Sequence, residues 1–212
     1  MILPPLYAVL DADVAARFGW TIPDLARACL DGGARWLQVR GKHLTSAEFL
    51  SVATAVVELG QPHGAHVIVN DRADVARLAG AAGVHVGQDD LSPEDARRVA
   101  GERAIVGLST HTRDQIANAA GSSADYIAVG PVFGTLTKDT GYEAVGLDLV
   151  GAAAATGRPV VAIGGITLER AEAALAAGAT SVAVISDLVS HGDPGARVRA
   201  FLDCLRAPGA TI

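Results

Sequence analysis

The chain has 212 residues, half of them apolar and 19% charged, a composition that packs a core rather than remaining disordered. Its 17 Lys and Arg against 23 Asp and Glu leave a net charge of −6, and aromatics make up only 4%. Together these exclude a broad nucleic-acid surface built on counterion release or base stacking. No apolar run reaches the roughly 18 residues of a membrane span. The opening stretch MILPPLYAVLDADV has no Lys or Arg before its proline-broken apolar run, so no signal peptide is read and a cytoplasmic protein is expected. Cys29 and Cys204 sit in helical patterns and read as small core residues rather than a disulfide or metal pair.

From the N-terminus, eight short apolar or β-branched runs read as buried strands: 6–10, 36–40, 66–70, 84–86, 105–108, 126–129, 159–163 and 181–185. Ala- and Leu-rich stretches of helical spacing lie between them. Leu25, Cys29 and Leu30 share one face, as do Phe49, Val52, Val56 and Leu59, and Leu168, Ala171 and Leu175. Thr21, Thr45, Ser92 and Thr167 stand where N-caps belong, and Gly33, Gly64, Gly83 and Gly178 where helices end before a strand. The repeated unit predicts an α/β fold, a (β/α)8 TIM barrel forming a single domain over residues 1–212. An open doubly wound sheet is the competing architecture, but its G-x-G-x-x-G turn is missing after Leu10.

In such a barrel, chemistry collects where strands end. Strand two ends Gln38-Val39-Arg40-Gly41-Lys42, and alternation puts Gln38 and Arg40 on one face. They form an anion pocket with Lys42, or Arg40 makes a structural salt bridge. Strand three ends Asn70-Asp71-Arg72, and Gln88-Asp89-Asp90 follow strand four. Neighbouring carboxylates without metal-spaced Cys or His favour Mg2+; as single residues, Asp89 and Asp90 read equally as helix caps. Strand five ends Ser109-Thr110-His111, His111 being a general base or a structural helix-start residue. The long Gly-bounded segment after strand six carries Thr135, Thr137 and Lys138, which suit a phosphate. Gly164-Gly165 after strand seven and Ser186 after strand eight suit a second phosphate, held by backbone amides. Two anion sites of this kind point to an enzyme acting on small phosphorylated molecules.

The motifs Q-V-R-G-K, V-N-D-R-A-D, G-V-H-V-G-Q-D-D-L, G-L-S-T-H-T, A-D-Y-I-A-V-G-P-V-F-G-T-L-T-K, V-A-I-G-G-I-T and V-A-V-I-S run through nearly the whole chain. With them the sequence resembles the thiamine-phosphate synthase (thiamine-phosphate pyrophosphorylase) family. The resemblance implies a Mg2+-dependent transferase joining 4-amino-5-hydroxymethyl-2-methylpyrimidine diphosphate to 4-methyl-5-(2-hydroxyethyl)thiazole phosphate, giving thiamine phosphate and diphosphate. It implies that Gln38, Arg40, Lys42, Asn70, Ser109 and Lys138 hold the pyrimidine diphosphate, with Arg40, Lys42, Ser109 and Lys138 in catalytic roles. Asp71 and Asp90 would hold Mg2+, and Thr135, Thr137, Gly165, Ile185 and Ser186 the thiazole phosphate. Partners are then small phosphorylated substrates, with neither nucleic acid nor membrane. Gly41 stands where relatives often carry an acid, and Leu136 where they often carry Pro. A thiazole tautomerase of the same superfamily is expected to carry His where this chain has Pro131. A phosphate-sensing barrel would lose some of Lys42, Asp71, Asp90 and Lys138, and all four are present.

Overall fold

The computed structural model of the chain describes residues 3–134 and 143–206. Eight parallel strands close on themselves in sequence order: β1 (Leu6–Asp11), β2 (Trp36–Arg40), β3 (His66–Asn70), β4 (Gly83–Val86), β5 (Ile105–Thr110), β6 (Tyr126–Val129), β7 (Val160–Ile163) and β8 (Ser181–Val184). The seam pairs β1 with β8, setting Leu6 against Val182 and Ala8 against Val184. Helices cover the outside: α1 (Ala12–Arg17), α2 (Ile22–Asp31), α3 (Ser46–Gly60), α4 (Ala73–Leu78), α5 (Pro93–Ala100), α6 (Arg113–Gly121), α7 (Gly146–Ala154), α8 (Leu168–Ala176) and α9 (Pro194–Cys204).

Strand alternation divides the side chains into two cores. Leu6, Ala8, Leu10, Leu37, Val39, Val67 and Val69 pack outward against the helices, and buried Cys29 lies in this layer with its thiol pushed up to about 12 by desolvation. Tyr7, Val9, Trp36, Ile68, Tyr126, Ala128, Val161 and Ala183 fill the barrel interior. The filled lower barrel sets the depth available to a ligand entering at the C-terminal mouth.

All eight expected strands are present, with β1 and β5 running on to Asp11 and Thr110, and β7 and β8 excluding Pro159 and Ile185. Thr21, Thr45 and Ser92 cap their helices through the hydroxyl, Thr45 in a reciprocal capping box with Glu48. Thr167 makes no such bond to the backbone; its side chain bonds the Glu169 carboxylate instead. Gly83 does not end a helix. It opens β4, where a Cβ would collide with the Ile105 carbonyl, and Gly80, with φ +67, follows α4 in its place. After β8 the chain forms a 3-10 helix at Ser186–Leu188.

Candidate active site

A cavity of about 370 Å3 opens at the C-terminal ends of the strands. Gln38, Arg40, Asn70, Ser109 and His111 line one side, and Gly164, Gly165, Ile185 and Ser186 the other. Val9, Ala128, Val161, Ile163 and Ala183 give it an apolar floor. Among the expected site residues, Thr135, Thr137 and Lys138 lie outside the described residues, as does Leu136. Lys42, Asp71 and Asp90 stand apart from the cavity lining, in contact with one another.

Register explains the basic edge. β1 and β2 set Asp11 directly beside Arg40, and the two side chains form a salt bridge while Arg40 also lines the cavity. Asp11 also caps α1, its Oδ1 accepting from the amides of Asp13 and Val14. The guanidinium is therefore aimed by a carboxylate that is itself anchored, while its buried Nε has no hydrogen-bond partner among the described residues. Gln38 Nε2 donates to the Tyr7 hydroxyl at 3.0 Å. Gly41 is packed closely by Leu44, whose Cδ1 would lie 2.6 Å from a Cβ there, so an acidic side chain at this position would displace Leu44.

The carboxylates lie beside Lys42. Its ammonium reaches Asp71 Oδ2 at 3.3 Å. The Asp71 carboxyl is raised above the usual range, first by burial, then by its hydrogen bond to Asp90 and that residue's charge; Lys42 opposes the shift. Asp71 holds a left-handed backbone, φ +62, while its amide donates to the His85 carbonyl at 2.7 Å. Ser92 caps α5, leaving Asp90 to accept from the Gly87 amide at 2.8 Å rather than to start the helix. Arg40 and Lys42 thus face Asp11, Asp71 and Asp90: two cations against three carboxylates. A pair of crowded carboxylates suits a hard divalent cation, which takes one or two of them and leaves its other positions to phosphate and water. Among the described residues no group of three or more His, Cys, Asp or Glu is placed to hold a metal alone.

Ser109 accepts or donates at 2.8 Å with His85 Nε2, and Gln88 donates to its carbonyl at 2.6 Å. His111 Nδ1 donates to the Gly130 carbonyl and its amide donates to Gln115, tying β5 to the end of β6, which favours the structural reading. On the far side, Gly164 and Gly165 both take positive φ, +94 and +63. Arg170 also lines the cavity, its guanidinium donating to the Gly165 carbonyl at 3.0 Å and standing 5.0 Å from the centre of the Phe133 ring. Asp11, Tyr7, Tyr126 and His85 are not singled out by sequence, and Arg170 reads there as part of the helix after strand seven rather than of the site, whereas its side chain reaches back to the cavity. The parity that flagged Gln38 and Arg40 also marks Tyr7 and Asp11 as inward-facing, but each sits in or beside an apolar run.

A family model described as thiamine monophosphate synthase matches residues 6–188. The chain is 44% identical over 211 residues to a thiamine-phosphate synthase of Koribacter versatilis, and 42% identical over 206 residues to one of Methanoculleus marisnigri, covering 97% of each chain in both cases. A solved structure of thiamine phosphate pyrophosphorylase from Pyrococcus furiosus superposes with a TM-score of 0.86 at 28% identity, covering 95% of both chains. The coverage spans every strand of the barrel, and the chain belongs to the thiamine monophosphate synthase family.

Proposed function

We propose that the chain joins the pyrimidine diphosphate to the thiazole phosphate with loss of diphosphate, and that the two sides of its cavity receive one substrate each. The supporting observation is the division of the mouth: amide, hydroxyl and guanidinium side chains on the Gln38–Asn70–Ser109 side, and on the Gly164–Ser186 side glycine-exposed backbone flanked by Arg170 and Asp187. The apolar floor between them suits two flat heteroaromatic rings. Arg40 and Lys42 would hold the diphosphate as its C–O bond to the pyrimidine methylene breaks, and the thiazole nitrogen then supplies the electron pair for the new C–N bond. The aminopyrimidine itself stabilises the methylene cation, so no protein nucleophile is needed. Asp71 and Asp90 are the residues that fit Mg2+, which when bound supplies the positive charge that neutralises the leaving diphosphate. The carry-over of Thr135, Thr137 and Lys138 to the phosphate groups rests on the sequence motif.

Purified protein incubated with both substrates and Mg2+ is expected to form thiamine phosphate, and to form none when EDTA is present. Absence of product in the first mixture would overturn the reading, and full turnover in EDTA would overturn the metal assignment alone.

A further inference from the structure

We propose that a one-way hydrogen-bond relay through Tyr7, Tyr126 and His85 holds the Ser109 hydroxyl as a donor into the cavity, making Tyr126 and His85 positioning residues for the reaction. The catalytic meaning of the relay rests on the function proposed above; its polarity does not. The chain of contacts crosses the barrel interior. Gln38 Nε2 is 3.0 Å from the Tyr7 hydroxyl, which is 3.1 Å from that of Tyr126; this in turn is 3.0 Å from His85 Nδ1, and His85 Nε2 is 2.8 Å from Ser109 Oγ. Its two ends, Gln38 and Ser109, both line the cavity.

The polarity follows from counting hydrogens. An amide nitrogen only donates, so the Tyr7 oxygen accepts from Gln38. Tyr7 then spends its one hydrogen on Tyr126, Tyr126 donates to His85 Nδ1, and the imidazole carries its hydrogen on Nε2, facing Ser109. With Nε2–H donating to Oγ, the Ser109 hydrogen is left to point at a ligand. With the Gln38 amide nitrogen facing it, Tyr7 in the reverse sense would accept from both Gln38 and Tyr126, and its own hydrogen would find no acceptor among the described residues, so a reversed relay requires the amide to turn and present Oε1. Burial pushes Tyr7 up to about 12 and Tyr126 well above the usual phenol range, so both phenols keep their protons at neutral pH. The packing has been cleared for this junction: a Cβ on Gly107 would collide with both the Tyr126 ring and His85 Nδ1. A donor is also what an anionic diphosphate oxygen requires of Ser109.

The test is the 15N spectrum of histidine-labelled protein, with His85→Gln used to assign the signal. The unliganded wild type should show His85 in the Nε2–H form. Tyr126→Phe, which keeps the ring, should mix the tautomers and lower kcat about tenfold, the factor worth one hydrogen bond, with the thiazole phosphate KM little changed. His85→Gln, which can present an amide N–H to Ser109, should retain more activity than His85→Leu. An Nδ1–H tautomer in the wild type, or an unmoved tautomer in Tyr126→Phe, overturns the relay; a shifted tautomer with unchanged kcat overturns the positioning role. Should Tyr126→Phe fail to fold, the wild-type spectrum still decides the polarity. A wild type that makes no thiamine phosphate would count against the function and leave the spectral result standing.

Discussion

Asp71 concentrates two unfavourable terms in one residue. Its backbone sits in the left-handed region, which asparagine and aspartate tolerate better than other side chains, and its half-buried carboxyl is crowded by Asp90. Because its carboxyl is raised in the folded state, the unfolded chain releases the proton first as pH rises. Stability is therefore lost across the interval between the ordinary carboxylate value and the raised one, and stays lost at neutral pH. Asp71→Asn keeps the shape and the backbone preference while removing the charge. In magnesium-free buffer at neutral pH it should melt about 2 °C higher, the shift that roughly 0.5–1 kcal/mol gives a domain of this size, with the gain vanishing in acid. The same variant should lose more than about tenfold in synthesis rate, one ligand's charge being gone. Thermal melts over a pH series, set beside a turnover assay, check both halves; a lower melting temperature at neutral pH would mean that the Lys42 pairing outweighs the repulsion.

Among the elements, the turn after β7 and the segment after β6 depend on one another. The amides of Val132 and Phe133 donate to the carbonyls of Ile163 and Gly164 at 2.8 and 3.0 Å, and a Cβ on Gly165 would come within 2.7 Å of the Gly134 carbonyl oxygen. Glycine there serves the contact between two loops as well as any approach by a phosphate. Gly165→Ala should accordingly cost about 1–3 kcal/mol, from positive φ and collision together, and a denaturant titration should show a lower midpoint with an unchanged slope. At this scale the limits of the sequence are plain. Strict alternation made Gln38 and Arg40 legible as inward-facing, and glycines after strand seven marked the second half of the mouth. Asp11 as the partner of Arg40 was hidden, because the pairing depends on the register of two strands 29 residues apart. Tyr7, Tyr126 and His85 were hidden for a related reason: each belongs to an apolar run, and only closure of the barrel brings their polar atoms together.

Across the whole molecule, closure also involves the outer layer. α2 and α9 touch where two glycines meet, and a Cβ on Gly32 would lie 2.6 Å from the Gly195 carbonyl oxygen and 2.9 Å from Val198 Cβ. Gly32 has an ordinary right-handed backbone, φ −69, so alanine would be welcome there on local grounds. Packing should win: Gly32→Ala is expected to destabilise by about 1–3 kcal/mol, read as a fall of about 3 °C or more in Tm. A rise would show that the two helices can part without loss. The seam between β1 and β8 has a consequence for synthesis. Leu6, Tyr7 and Ala8 must wait for Val182, Ala183 and Val184 to leave the ribosome, a delay of roughly 10–30 s at ordinary elongation rates. For that time one edge of β1 is an open, apolar ribbon able to pair with a neighbouring nascent chain. The prolines at positions 4 and 5 and the carboxylate of Asp11 bracket that ribbon, gatekeepers that guard the edge from both ends until its last partner arrives.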